Sequence, residues 1–253
     1  MGSETSAQKY RGGLYMMRFF GLNAIIILHT LIFCIWTLML TLLGFGSKSI
    51  HFYVAKPWAR VILWLSGVKV DASGCENVEA GVPRIYMANH QSYFDILGLL
   101  AYLPVDFKFL MKQELMRIPV FGFAMKRAGY IGIERNDPRK AVKSIQEAAQ
   151  RIKDGASVLI FPEGTRSVDG HLQDFKRGGF KLALKSGSDI VPVVIKGSMR
   201  VLPKGRFRIN RGRFALSVGI PIAVNQYSAR DVDALMARVR GEILKELEGN
   251  PAS

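Results

Sequence analysis

At 253 residues the chain has the size of one catalytic domain with enough left for an appendage. A net charge of +15 and a pI near 10 require an anionic partner, nucleic acid or anionic lipid, and the positive mean hydropathy favours lipid. Cys34 and Cys75 lack metal-type spacing and His29, His51, His90 and His171 are scattered, which argues against a disulfide framework and against a zinc centre.

Residues 1–13 are polar and glycine-containing and are expected to form a mobile N-terminus. From Leu14 to Phe45 the chain is apolar, interrupted mainly by Arg18, Asn23, His29 and a few threonines. Leu22 to Phe45 alone is long enough for a membrane helix, since about 20 residues cross a ~30 Å hydrocarbon layer. A signal peptide is the competing reading, but the segment is too long and no small-x-small cleavage site follows it. Gly44-Phe45-Gly46-Ser47 then breaks the helix, and Lys48 to Leu65 reads as a second one. Its apolar Ile50, Tyr53, Val54, Val61, Ile62 and Leu65 are accompanied by Lys48, His51, Lys56 and Arg60. Trp58 and Trp64 suit a lipid–water interface, and Pro57 kinks this helix or starts a fresh one.

An ordinary helix packed on the domain would explain Lys48 to Leu65. The sharper expectation is that residues 14–66 form a two-helix membrane-associating segment with its cations at lipid headgroups. Lys9, Arg11 and Arg18 precede the apolar run while Lys48, Lys56 and Arg60 follow it, so the positive-inside rule selects no side. A hairpin dipping into one leaflet puts both flanks and the catalytic domain on the cytoplasmic face of the cell membrane, where thioester donors are made.

Residues 67–253 alternate short strands and helices, which predicts a single α/β domain with a largely parallel or mixed sheet flanked by helices. Strands are expected at Val68–Val70, Arg84–Ala88, Phe107–Met111, Tyr130–Ile133, Ser157–Phe161, Ile190–Ile195 and Arg213–Val218. Helices are expected at Asp95–Leu103, Val120–Arg127, Pro138–Lys153, Arg177–Lys185 and Ala229–Glu248. Asp137 is the N-cap of the third, with Ala141, Val142, Ile145, Ala148, Ala149 and Ile152 on one face and Gly155 at its end. Ser228 and Asp231 have capping-box spacing at the start of the last helix.

Two loops stand out. Asn89-His90-Gln91-Ser92-Tyr93-Phe94-Asp95 leaves the strand ending at Ala88, and Phe161-Pro162-Glu163-Gly164-Thr165-Arg166 leaves the one ending at Ile160. Reactive groups of α/β domains gather at such strand exits. His90 is suited to take and return a proton near neutrality, and Asp95 can fix its tautomer if the chain turns between them. A lone His-x4-Asp is more often a structural histidine beside a helix-start charge; two such loops at adjacent exits predict one shared cleft. No G-x-S-x-G elbow, P-loop or G-x-G-x-x-G follows a strand, which disfavours a covalent serine mechanism.

These residues resemble the glycerolipid acyltransferase family, most closely the 1-acyl-sn-glycerol-3-phosphate acyltransferases. Asn89, His90, Ser92 and Asp95 match the family's N-H-x-S-x-x-D, and Phe161 to Arg166 match F-P-E-G-T-R without a break. Gly129 to Arg135 match G-x-I-x-I-x-R, with Glu134 where many relatives carry Asp, and Ile190-Val191-Pro192-Val193-Val194 matches the fourth, proline-centred motif. The resemblance covers roughly residues 60 to 220. It implies transfer of an acyl group from a thioester, on coenzyme A or acyl carrier protein, to the free hydroxyl of lysophosphatidate, with no bound cofactor or metal.

His90 would then be general base with Asp95 its partner, and backbone N–H groups near Gly164 are candidate donors to the oxyanion. Arg166 is the first choice for the acceptor's phosphate, because a guanidinium binds phosphate two-pronged. Gly164 lets backbone approach the ligand, Glu163 is free to accept from a hydroxyl or orient Arg166, and Thr165 completes the motif. Lys112 and Arg135 lie at further strand exits and are weaker candidates, each balanced against a solvated charge. Lys176, Arg177 and the cluster Lys204, Arg206, Arg208, Arg211 and Arg213 read as a basic face, solvated or turned to headgroups or an acidic carrier protein. Two alternatives remain open. One is another acceptor: glycerol 3-phosphate, another lysophospholipid or a lyso-aminolipid. The other is a non-catalytic basic module binding lipid or nucleic acid, although nucleic acid is not the expected partner.

Overall fold

A computed structural model describes the backbone of residues 3–134 and 137–249, and side chains from Phe19 onward with Pro138 excepted. Helix α1 (Ser3–Leu42) contains a 24-residue stretch, Phe19–Leu42, whose length and apolarity suffice to cross a membrane and of which little is buried. At 1.5 Å per residue it spans about 36 Å. The break at Gly44 is as expected, Gly44 having a φ of +83°.

After it, α2 (Ser47–Ile50), one π-helical turn (His51–Ala55) and α3 (Lys56–Ser66) run on without a gap. Pro57, which can neither donate to the preceding turn nor pack closely against it, sits just inside α3, directly after the widened turn. This second helix is built into the domain: Ile50, Val54, Ala59, Ile62 and Leu63 are buried in the same core as the sheet. Trp58 is turned inward and donates from Nε1 to Thr30 Oγ1 of α1 at 3.2 Å. Tyr53, Arg60 and Trp64 form the exposed stripe, so the lipid-type aromatic face belongs to Trp64 and not to Trp58.

Deleting residues 1–66 therefore removes these five apolar side chains from the sheet core, each large one worth about 2–5 kcal/mol on truncation. That truncation is expected to abolish cooperative thermal unfolding of the remainder, whereas deletion of residues 1–45 retains it. Equal melting of the two truncated proteins would contradict this packing.

The described residues contain all seven expected strands: β1 (Val68–Ser73), β2 (Ile85–Ala88), β3 (Phe107–Lys112), β4 (Ile131–Ile133), β5 (Ser157–Ile160), β6 (Ile190–Lys196) and β7 (Gly212–Val218). They form one sheet in the order β1-β7-β6-β2-β5-β3-β4, parallel except for the β6–β7 pair, hence mixed. The central strand β2 is buried on both faces, which is why it reads as an unbroken apolar run. Its Ile85 and Met87 face the core under α6 (Pro138–Lys153), α7 (Arg177–Ser186) and α9 (Val232–Glu248). Tyr86 and Ala88 face the core under α3 and α4 (Phe94–Tyr102). α4 lies so close to the sheet that a Cβ on Gly98 would come within 2.8 Å of the Phe214 ring.

Asp137 caps α6 as expected, its carboxylate accepting from the N–H groups of Arg139 and Lys140, and Gly155 with φ +98° follows its end. The first turns of that helix differ from expectation. Ala148, Ala149 and Ile152 are buried while Val142 is 56% exposed, because only the last two turns reach the sheet core. The last helix begins at Val232; Ser228 and Asp231 pair with each other at 2.6 Å and close a turn ahead of it.

Because β6, β2, β5 and β3 are parallel, their carboxyl ends share one edge of the sheet. The first residues of β7 and β1 reach that edge too, Gly212 donating to Gly67 O at 3.3 Å. α5 (Phe121–Arg127) follows β3 there, and α8 (Ser198–Val201) follows β6.

Candidate active site

The loop leaving β2 is pinned at both ends. Asn89 pairs its carboxamide with the backbone of Ile195 on β6, donating at 2.9 Å and accepting at 2.7 Å, and Ser92 Oγ donates to Leu202 O at 2.9 Å. Between them the chain turns so that Asp95, 0% exposed in the first turn of α4, faces back onto the loop. Asp95 Oδ2 lies 2.8 Å from His90 Nδ1 and accepts the N–H of Gln91 at 2.6 Å and of Ser92 at 2.8 Å. One carboxylate thus shapes the loop and holds the imidazole, which leaves Nε2 as the basic nitrogen of a ring still partly open.

The loop leaving β5 closes over the same ring. Phe161 stacks on His90 with centroids 3.8 Å apart and planes at 13°, and Ser167 N–H donates to His90 O at 2.8 Å. Glu163 is buried and accepts from His90 N at 2.6 Å and Gln173 N at 2.9 Å. Both oxygens are thus engaged by backbone, so Glu163 ties the two loops together where a contact to ligand or to Arg166 was expected. The N–H of Gly164 donates to Phe161 O at 3.0 Å in a turn that needs φ +73°, so that amide is committed within the loop rather than presented to an oxyanion.

Burial pushes the Glu163 carboxyl up to about 7, against the opposing pull of its two backbone N–H donors. The folded state therefore holds this proton where the unfolded chain, near 4.5, has released it. Stability contributed by Glu163 is full below pH 4.5 and is lost as pH rises toward 7, by about 3 kcal/mol. Burial, with the positive charges of Lys108 and Lys56, lowers His51 to about 3, which acts oppositely and removes stability as pH falls below 6.5. The two overlap, so the difference between wild type and Glu163→Gln isolates the first. The stability advantage of wild type over this variant is expected to shrink between pH 4.5 and 7; a difference constant with pH would contradict the assignment.

Arg166 lies with its guanidinium carbon 3.7 Å from the centroid of Tyr93, and its Nη1 is buried without a hydrogen-bond partner. Its cation is held by an aromatic face and has no carboxylate partner among the described residues. Two lysines assigned from sequence only to a basic face are folded onto this loop. Lys204 Nζ donates to Arg166 O at 2.7 Å and to Thr165 Oγ1 at 3.2 Å, and the Lys176 side chain lies over Gly164. No local pattern signals either, since Lys204 arrives from 38 residues away through β6 and α8. Lys112 is half-exposed and paired with Glu114 at 3.0 Å, so an incoming anion would compete with that carboxylate. Arg135 lies outside the described residues.

The site thus joins a carboxylate-held imidazole to a cluster of cations at one strand edge. It can deprotonate a hydroxyl on a molecule that also carries an anion. Among known proteins, the acyltransferase family model matches residues 69–196. The chain is 35% identical over 203 residues to a chloroplastic 1-acyl-sn-glycerol-3-phosphate acyltransferase of Arabidopsis thaliana, covering 79% of this chain and 55% of that protein. It thus spans little more than half the length of that plant relative. It is 30% identical over 199 residues to the 1-acyl-sn-glycerol-3-phosphate acyltransferase of Borreliella burgdorferi, covering 79% of this chain and 80% of the relative. The crystal structure of the 1-acyl-sn-glycerophosphate acyltransferase PlsC from Thermotoga maritima superposes with a TM-score of 0.78 at 24% identity, over 97% of this chain and all of that one, a likeness of fold.

Proposed function

The chain belongs to the acyltransferase family, and from that premise we propose that it moves a fatty acyl group from a thioester to the free hydroxyl of 1-acyl-sn-glycerol 3-phosphate, forming phosphatidate. The observation that carries the reading is the 2.8 Å contact of His90 Nδ1 with buried Asp95, together with the Arg166 guanidinium, whose buried Nη1 has no hydrogen-bond partner.

In the proposed reaction His90 Nε2 takes the proton of the acceptor hydroxyl as its oxygen attacks the thioester carbonyl. The tetrahedral intermediate collapses, the carbon–sulfur bond breaks, and the imidazolium returns its proton to the thiolate. Asp95 keeps the proton on Nδ1 beforehand and stabilises the imidazolium afterwards. Base assistance of this kind is worth about 10²–10⁴ in rate. Arg166 holds the acceptor phosphate, with Lys204 and Thr165 fixing its loop and Gly164 letting backbone come close. Glu163 positions His90 by holding its N–H, and Lys112 and Arg135 are additional candidates for the phosphate.

The donor is an acyl thioester of coenzyme A or of acyl carrier protein, and the reaction as written uses no bound cofactor. α1 dips into a membrane and turns back at Gly44–Gly46 into α2 and α3, so that the α/β domain, with α2 and α3 packed on it, works on the cytoplasmic face. The 24-residue apolar stretch and the exposed Tyr53–Arg60–Trp64 stripe support this placement. Thiol release from acyl-coenzyme A, measured against lysophosphatidate, glycerol 3-phosphate and a lysophospholipid without a phosphate monoester, tests the acceptor. Lysophosphatidate is expected to give the highest rate; a higher rate with either of the others would overturn this reading.

A further inference from the structure

The segment Pro203–Arg211 joins α8 to β7 and carries Lys204, Arg206, Arg208 and Arg211 with no carboxylate. It is an ordered turn: Arg206 N–H donates to Pro203 O, Asn210 N–H to Val201 O, and the Asn210 side chain to Arg200 O. Ile209 packs against the core beneath, which leaves Phe207 on the outside of the turn, 75% exposed between arginines. An aromatic ring held outward in a ring of cations is apolar area that the fold itself leaves uncovered.

Its location decides what covers it. At one end Lys204 is bonded to the Arg166 loop, and at the other the Arg211 side chain lies about 3 Å from where a Gly67 Cβ would stand. Gly67 closes α3 one turn beyond Trp64, itself 76% exposed, so the segment continues the aromatic stripe of α3 around the catalytic edge of the sheet. On the opposite flank of that edge, after β3, Leu115, Ile118, Val120 and Phe123 are also exposed. A soluble protein partner would need only one patch; apolar groups on both flanks of one edge fit an extended planar surface.

We infer that Pro203–Arg211 is a lipid-surface contact in which Phe207 enters the headgroup region while Arg206 and Arg211 bind phosphates of anionic phospholipids. The lipid-facing edge would then present the acceptor phosphate to Arg166 directly from the bilayer. Each arginine near an anionic surface strengthens association about fivefold, and the effect is screened by salt.

This inference rests on the membrane placement proposed above, and one experiment separates the two. The full chain, with Cys34→Ala, Cys75→Ala and a solvatochromic dye on Phe207→Cys, is incorporated into phosphatidylcholine vesicles with or without phosphatidylglycerol. A blue shift in the anionic vesicles only is expected, with Arg206→Ala and Arg211→Ala together lowering the docked-to-free ratio roughly 25-fold and high salt doing likewise. The same emission in both vesicles, insensitive to the arginines, would overturn the inference. So would a response to a soluble acidic acyl carrier protein without one to anionic lipid. Failure of the chain to enter either vesicle would sink the membrane placement and the inference with it.

Discussion

His90→Ala is expected to lose at least about 10²–10⁴ in acyl transfer while melting close to wild type. The ring is partly open, stacks on Phe161 and makes one side-chain hydrogen bond, to Asp95, so its removal leaves the loop's backbone bonds in place. Asp95→Asn is a harsher change. Its Oδ2 accepts three hydrogen bonds at once, two of them from backbone, while Oδ1 is buried without a partner, so an amide that keeps its oxygen in place loses the charge and buries an unpartnered NH2. A stability loss of about 1–3 kcal/mol should accompany the fall in activity. The pair acts as a unit, so the double variant is expected to be scarcely slower than His90→Ala alone. If His90 were only a structural histidine, activity would instead track the folded fraction. Melting curves beside turnover for the three variants distinguish these outcomes.

The second large effect concerns Arg166. Arg166→Ala removes a guanidinium held on the Tyr93 face with one nitrogen unpartnered, and Arg166→Lys keeps the charge but not the fork. Charge-assisted hydrogen bonds contribute about 1.5–3 kcal/mol, so kcat/KM for lysophosphatidate should fall about tenfold to a hundredfold in either variant. The KM for the thioester should hardly move. Lys204→Ala should reproduce a smaller part of the effect, because it steadies the Arg166 loop through the carbonyl and not the guanidinium. Equal losses toward donor and acceptor would place Arg166 in the fold and not at the phosphate.

Much of the fold was legible in the chain because its signals are local. The seven strands are short apolar runs between turn residues, and Asp137-Pro138 and Gly155 mark the ends of α6. The meeting of the His90 and Phe161 loops was legible as well, since both follow buried strands and parallel neighbours end at one edge. What could not be read depends on three-dimensional neighbours. Glu163 looked like a group for ligand because its motif is charged and glycine-rich. Its partners, His90 N and Gln173 N, are backbone atoms that only the closed loop brings near. Lys48 to Leu65 looked like membrane helix because a helix with one face in a core and an exposed aromatic and basic face has the same composition. Only packing distinguishes buried Ile62 from exposed Trp64.

The most direct measurement is product formed per thiol released. Wild-type protein is mixed with acyl-coenzyme A and lysophosphatidate in detergent, and phosphatidate is quantified by mass spectrometry beside the free thiol. Direct transfer by His90 predicts one phosphatidate for each thiol, little thiol without acceptor, and neither above background with His90→Ala. Thiol released without phosphatidate, or phosphatidate formed undiminished by the folded His90→Ala protein, would contradict it.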